Sequence, residues 1–323
     1  MQNVLIEAHS GALKLTATDL ETAGVTTVQG KGTDRWKITA PAALLLKYLK
    51  ALDGTVTIQP KTNHWITVSQ GTDEAEIAGM GFESYPELPT LTTCGTLSGL
   101  VKAIPRASFA ISSEESRFSL NGALLEANGK ARLVSTDGHR LSLVPLGYDG
   151  TPLRALVPRR ALTEIARLNA DSVAVGANDD HLIFQHGDRS IISRKLTGNF
   201  PDYERVLPKE YTGFCALPVK ETLKILGRVD VFCDERSHAT KWQIDGGTLT
   251  IHASVCETGN AKGSVALTAC QGGPVEIGLN GHYCQDVLKL IDGPAGFCWR
   301  DASSSVGFIT GDGWQTVVMP MRT

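Results

Sequence analysis

The sequence predicts an α+β protein built from three related domains, and three observations carry the prediction. One strand signature recurs twice at a fixed interval, a helix follows a strand in every copy, and short alternating strands follow each helix.

The strand signature lies at Gly11 to Asp19, Gly129 to Asp137 and Gly247 to Val255. Each copy opens on a turn glycine and then alternates apolar and polar residues, as a strand with one buried face does. Thr18, Thr136 and Ser254 hold the same place in the three copies, spaced by 118 residues both times. Equal spacing twice over marks an internal repeat. The copies divide the chain into expected domains at 1–92, 93–210 and 211–323.

Within each copy a strand ending in Pro or Asn leads into a helix, at Pro41 to Leu52, Pro158 to Ala170 and Asn280 to Ile291. Apolar residues at i, i+3, i+4 and i+7 give these segments one inward face, and Asp53-Gly54 and Asp292-Gly293 stop two of them. Strands such as Val173 to Val175, Leu182 to Gln185 and Ser190 to Leu196 follow. A further helix opens the second and third copies, at Leu97 to Ser112 and Pro218 to Phe232. Pro105 lies inside the former and is expected to kink it or delay its start. Each domain thus reads as two strand-helix-strands units. Counting back 118 residues from Leu97 passes Met1, so the first domain is expected to lack its opening strand and helix.

With 323 residues and 42% apolar content the chain can bury sizeable cores. It has no apolar run of the ~18 residues that a membrane span needs, and its start lacks the features of a signal peptide. A soluble, cytoplasmic protein is expected. The seven cysteines include no CxxC pair. Cys256, Cys270, Cys284 and Cys298 recur every 14 residues, but nothing in that spacing makes them converge. Reduced thiols, no metal and no cofactor are expected.

The net charge of −3 is distributed unevenly. The five helical segments hold Lys47, Lys50, Lys102, Arg106, Arg159, Arg160, Arg167, Lys220, Lys224, Arg228 and Lys289 against only Glu164, Glu221, Asp230 and Asp286. That surplus of seven positive charges leaves −10 on the rest of the chain. Any one of these residues is explained by helix propensity on a solvated face. The sum over five helices instead points to a surface that faces phosphate, and all but Lys289 are taken as candidate DNA-facing residues. Aromatic residues do not interleave with the cations, which disfavours stacking on single strands and favours non-specific contact with duplex DNA.

Three stretches carry a resemblance to a known family: Ser135 to Leu141, Asn199 to Pro208, and Val317 to Arg322. With Leu15 to Glu21 they resemble, in order from Asn3 to Arg322, the β subunit of bacterial DNA polymerase III. The resemblance implies three DNA-clamp domains in a head-to-tail ring dimer, with helices lining the hole and sheets outside. It implies a processivity factor of the replicative polymerase that is not itself an enzyme. The edge strand bearing Ala75 and Ile77 would meet Val231 and Phe232 of a second copy.

The family's groove for partner peptides lies between its second and third domains. It carries over onto Leu120, Thr136, Gly138, His139, Arg140 and Leu141, then Pro201, Arg205 and Val206. Asn280 and Tyr283, with Val317, Val318, Met319, Pro320, Met321 and Arg322, complete it. Such a slot, apolar and methionine-bearing with His and Arg at its edge, suits varied short peptides. Polymerase subunits, the clamp loader and repair polymerases are the partners implied.

Two other readings compete. A scaffold could keep the groove without closing a ring. A hydrolase or nuclease using Asp137-Gly138-His139 would need a nucleophile or further carboxylates, and none stands out.

Overall fold

The computed structural model describes residues 2–208, 210–255 and 259–322, so Cys256 lies outside the described residues. The first copy contains β1 (Asn3–His9), β2 (Ala12–Thr18), β3 (Thr22–Gln29), β4 (Trp36–Pro41), α1 (Ala42–Leu49), β5 (Thr57–Pro60), β6 (Trp65–Gln70) and β7 (Asp73–Ala78). The second contains β8 (Thr93–Ser98), α2 (Leu100–Ser108), β9 (Gly122–Asn128), β10 (Lys130–Thr136), β11 (Arg140–Gly150), β12 (Leu153–Pro158), α3 (Arg159–Ala166), β13 (Ser172–Ala177), β14 (His181–His186) and β15 (Arg189–Arg194). The third runs β16 (Gly213–Leu217), α4 (Val219–Val229), β17 (Ala239–Asp245), β18 (Thr248–Val255), β19 (Gly259–Ala266) and β20 (Thr268–Gln271). It ends with β21 (Val275–Asn280), α5 (Gly281–Leu288), β22 (Ala295–Trp299), β23 (Val306–Ile309) and β24 (Gln315–Val318).

The recurring signature becomes β2, β10 and β18, each the second strand of a hairpin. Its turn glycines, Gly11, Gly129 and Gly247, all adopt left-handed φ (85°, 77° and 77°), which explains why the same residue opens each copy. The helices are shorter than their periodicity suggests, because Pro41, Pro158 and Leu97 belong to the strands before them. Pro105 does not delay α2. The helix begins at Leu100 and continues past the proline, whose ring is exposed.

The chain folds as two compact units. The first comprises Met1–Ser98, Asp149–Thr151 and Arg160–Lys195. Its main sheet is antiparallel, in the order β4-β1-β2-β3-β15-β14-β13-β8. Ile6, Ile38 and Ala40 from this sheet, Leu45 from α1, and Ile66, Val68 and Ile77 form one core, which joins the sheet to a smaller one, β5-β6-β7. Strand β7 ends that smaller sheet.

The second unit comprises Gly99–Tyr148, Pro152–Arg159 and Leu196–Thr323. Its antiparallel sheet runs β12-β9-β10-β11-β24-β23-β22-β16-β20. Gly122 makes the β9–β12 pair possible, since a Cβ there would lie 2.1 Å from the Val157 carbonyl oxygen. A second sheet, β19-β18-β17-β21, packs under α4, with β19 as its open edge. Trp242 stacks on Phe297 at 5.3 Å, and Phe297 meets Phe308 edge-on at 5.2 Å. Units and copies are therefore out of phase. Strands from the second copy complete the sheets of both neighbours.

Candidate docking surface

The site is built on the turn from β10 to β11. The Asp137 carboxylate accepts the backbone N–H groups of His139 (2.9 Å) and Arg140 (3.0 Å). The Thr136 hydroxyl donates to the Arg140 carbonyl at 2.7 Å, and Gly138 takes the left-handed φ of 91° that closes the turn. These bonds aim Arg140 at two carboxylates, Asp137 at 3.0 Å and Asp286 at 2.7 Å. Its guanidinium also lies 4.3 Å from the Tyr283 ring centre and 5.3 Å from that of Phe109.

Asn280 holds Tyr283 in place. It caps α5 by accepting the Tyr283 N–H at 3.0 Å, and its amide donates to the Ser237 carbonyl at 2.9 Å. Burial, then the nearby Asp137 charge, pushes the Tyr283 hydroxyl above its ordinary range, so it stays neutral. The His139 ring stacks beside Tyr283, with centroids 6.3 Å apart. The C-terminal tail is tied down on both sides: the Met319 N–H donates to the His139 carbonyl (2.8 Å) and that of Met321 to Gly278 (2.9 Å).

Beneath this rim Leu120, Leu141 and Val317 share a core with Leu124, Val134, Leu156, Phe200 and Tyr203. Leu120, Thr136, Leu141, Val317 and Val318 are buried, so they form the floor and leave contact to others. Of the residues the resemblance assigns to the groove, Val206 (45% exposed) and Met319 (41%) are the large apolar side chains left open. Pro201, Gly138, His139, Arg205 and Arg322 are exposed as well, with Pro320 and Met321 half-buried. Arg205 pairs with Asp202 at 2.7 Å. Sequence reading passed over Phe118, 69% exposed two residues before Leu120, and Arg117, which donates to the Asp137 carbonyl at 2.9 Å.

One partly buried network fixes the 201–206 segment. The Tyr203 hydroxyl donates to Glu126 at 2.6 Å, and Arg132 bridges Glu126 (2.9 Å) and Glu204 (2.7 Å) while lying over the Tyr203 ring. Burial alone would raise the Glu126 carboxyl, but the hydrogen bonds from Tyr203 and Arg132 outweigh it and hold the group below its ordinary range.

Of the ten helix cations singled out for DNA, nine are exposed, on or beside α1, α2, α3 and α4. Arg106 is half-buried, paired with Asp312 and lying 4.7 Å from the Trp314 ring centre. Arg160 pairs with Asp19 at 2.6 Å and Arg167 with Glu164 at 2.9 Å, which tempers their charge. At the edges, Ala75 and Ile77 lie on β7, but the Ile77 side chain is only 3% exposed and belongs to the core. Strand alternation turns it inward, so any interface there uses the β7 backbone and not that side chain. Val231 is 77% exposed, and Phe232 lies against Gly259 at the start of β19. Two open clefts lie elsewhere, one of about 650 Å³ beside Lys14, Lys37 and Trp36, the other of about 530 Å³ beside Pro218 and Ile291.

Three copies of one α+β unit, joined through shared antiparallel sheets, define a repeat-built protein of the DNA-clamp class. Models of the DNA polymerase III beta subunit match in chain order, the N-terminal domain over residues 1–89, the central domain over 97–202 and the C-terminal domain over 204–322. The beta sliding clamp of Pseudomonas aeruginosa is 31% identical over all of this chain and 92% of its own length. That of Caulobacter vibrioides is 30% identical, with the same shares covered. The crystal structure of the P. aeruginosa DNA polymerase III subunit beta superposes with a TM-score of 0.92 at 29% identity, over 100% of this chain and 92% of that one. The chain belongs to the DNA polymerase III beta-subunit family, the non-catalytic sliding clamps that serve as processivity factors in DNA replication.

Proposed function

We propose that two copies close head to tail into a ring around duplex DNA in the cytoplasm, through domains bounded at 1–92, 93–210 and 211–323. The observation that supports this is that β7 in the first copy and β19 in the third each end a sheet. An unpaired edge is an aggregation hazard unless something pairs with it. Joining β7 of one chain to the β19 and Val231–Phe232 region of another would satisfy both edges twice in a closed dimer. The exposed cations of α1 to α4 would then contact phosphate without reading bases.

The Arg140–Tyr283 surface would receive short segments of polymerase subunits, the clamp loader and repair polymerases. Open apolar side chains at Val206 and Met319 offer anchorage, and the donors of His139 and Arg205 set a polar rim. Light scattering on the purified chain, with and without a clamp-binding peptide, tests both parts. A dimer of roughly twice the 34.5 kDa chain mass is expected across micromolar concentrations, with peptide bound. A monomer at every concentration that still binds peptide would replace the ring with an open scaffold.

A further inference from the structure

Asp230, His238 and His282 meet in the third copy, outside the docking surface, and they are the one group of three or more metal-ligating side chains found clustered among the described residues. Asp230 opens the 3-10 turn that ends α4, His238 immediately precedes β17, and His282 lies in the first turn of α5. The Asp230 carboxylate lies 3.0 Å from His282 Nε2 through one oxygen and 3.4 Å from His238 Nδ1 through the other. All three ligand atoms fall within 4.8 Å of one another.

Two features go beyond a chance cluster. Asp230 Oδ1 and His238 Nδ1 are buried and have no hydrogen-bond partner, although they face each other. Such groups ordinarily find a partner. The His238 and His282 rings are also stacked, with centroids 3.5 Å apart and planes 20° from parallel. The stack brings two imidazoles from different segments of the chain to the same carboxylate.

We propose that Asp230, His238 and His282 bind a divalent transition-metal ion of the zinc class, tying the end of α4 to α5. Tetrahedral zinc with donors at 2.0–2.1 Å places neighbouring donors about 3.3 Å apart, and each imidazole already lies at about that separation from one oxygen of the Asp230 carboxylate. The two-imidazole, one-carboxylate set suits zinc or cobalt over calcium or magnesium and leaves a fourth position for water. The surrounding backbone is already held: the His238 N–H donates to the Asp234 carbonyl (2.9 Å) and the Gly281 N–H to that of His238 (2.7 Å).

The test uses the full-length chain, stripped with a chelator and titrated with Zn²⁺ by calorimetry and with Co²⁺ by visible absorption. One ion per chain is expected, with a Kd of about 10 μM or tighter at neutral pH. His282→Ala, His238→Ala and Asp230→Asn should each weaken binding at least about tenfold, and His252→Ala, on β18, should not. Thermal unfolding checks that each variant folds, and His282→Ala, at a half-exposed helix position, decides the matter if His238→Ala does not fold. Absence of saturable binding below about 100 μM, or binding unchanged by His282→Ala, would overturn the assignment.

Discussion

Arg140 and His139 are neighbours with different work, and substitution should separate them. Arg140 satisfies two carboxylates and covers two rings from a side chain 12% exposed. Arg140→Ala should therefore lower both peptide affinity and stability, the latter by roughly 1–3 kcal/mol in urea denaturation. His139 is exposed and supports only the Tyr283 face, so His139→Ala should weaken peptide binding while stability stays within about 0.5 kcal/mol. Tyr203→Phe removes the only hydroxyl donor to Glu126 in that network and should cost about 1–3 kcal/mol, read from the same denaturation curves. Asp312 offers a pH signature. The hydrogen bond from Arg106, then that from Thr310, lowers its carboxyl to about 2. A depressed carboxylate stabilises the fold above its unfolded value near 3.8 and loses that contribution as pH falls toward 2. Asp312→Asn should flatten the acid limb of a Tm-against-pH profile between about pH 4 and pH 2, and an unchanged limb would remove the Arg106 pair from the account. The motif residues 135–141 could be picked out from sequence because they are contiguous. Asp286, Phe109 and the Asp230–His238–His282 group could not, because no local pattern links residues joined only by folding.

At the scale of elements, alternation and helical period placed the strands and helices, and the misplacements were at their ends. A proline or asparagine before a helix marks its start, yet Pro41 and Pro158 remain in their strands, where the fixed φ is equally at home. The family resemblance puts Ile77 at an interface, and only the core contacts reveal which face its side chain takes. Val231 and Phe232, on the turn that ends α4, give that edge hypothesis a direct test. Val231→Asp should leave the Tm within about 2 °C, since the side chain is 77% exposed, and should shift the light-scattering mass toward monomer. A dimer as tight as the parent would exclude this turn from closure.

For the whole molecule, the interval of 118 residues made the three copies legible, while charge summed over helices pointed to phosphate. A closed ring should remain on circular DNA at salt concentrations that strip ordinary binders, and should be lost when the circle is cut. Equal loss from circular and linear DNA, followed by gel filtration, would defeat encirclement. Repetition alone says nothing of how copies join, because period does not reveal which strand edges pair. Here the junctions are backbone ladders, five residue pairs between β3 and β15 and four between β11 and β24. Such a seam has no swivel: bending one copy away from the next means breaking a row of hydrogen bonds together. Within each compact unit the joined strands therefore move as one piece, a welded plate rather than beads on a string.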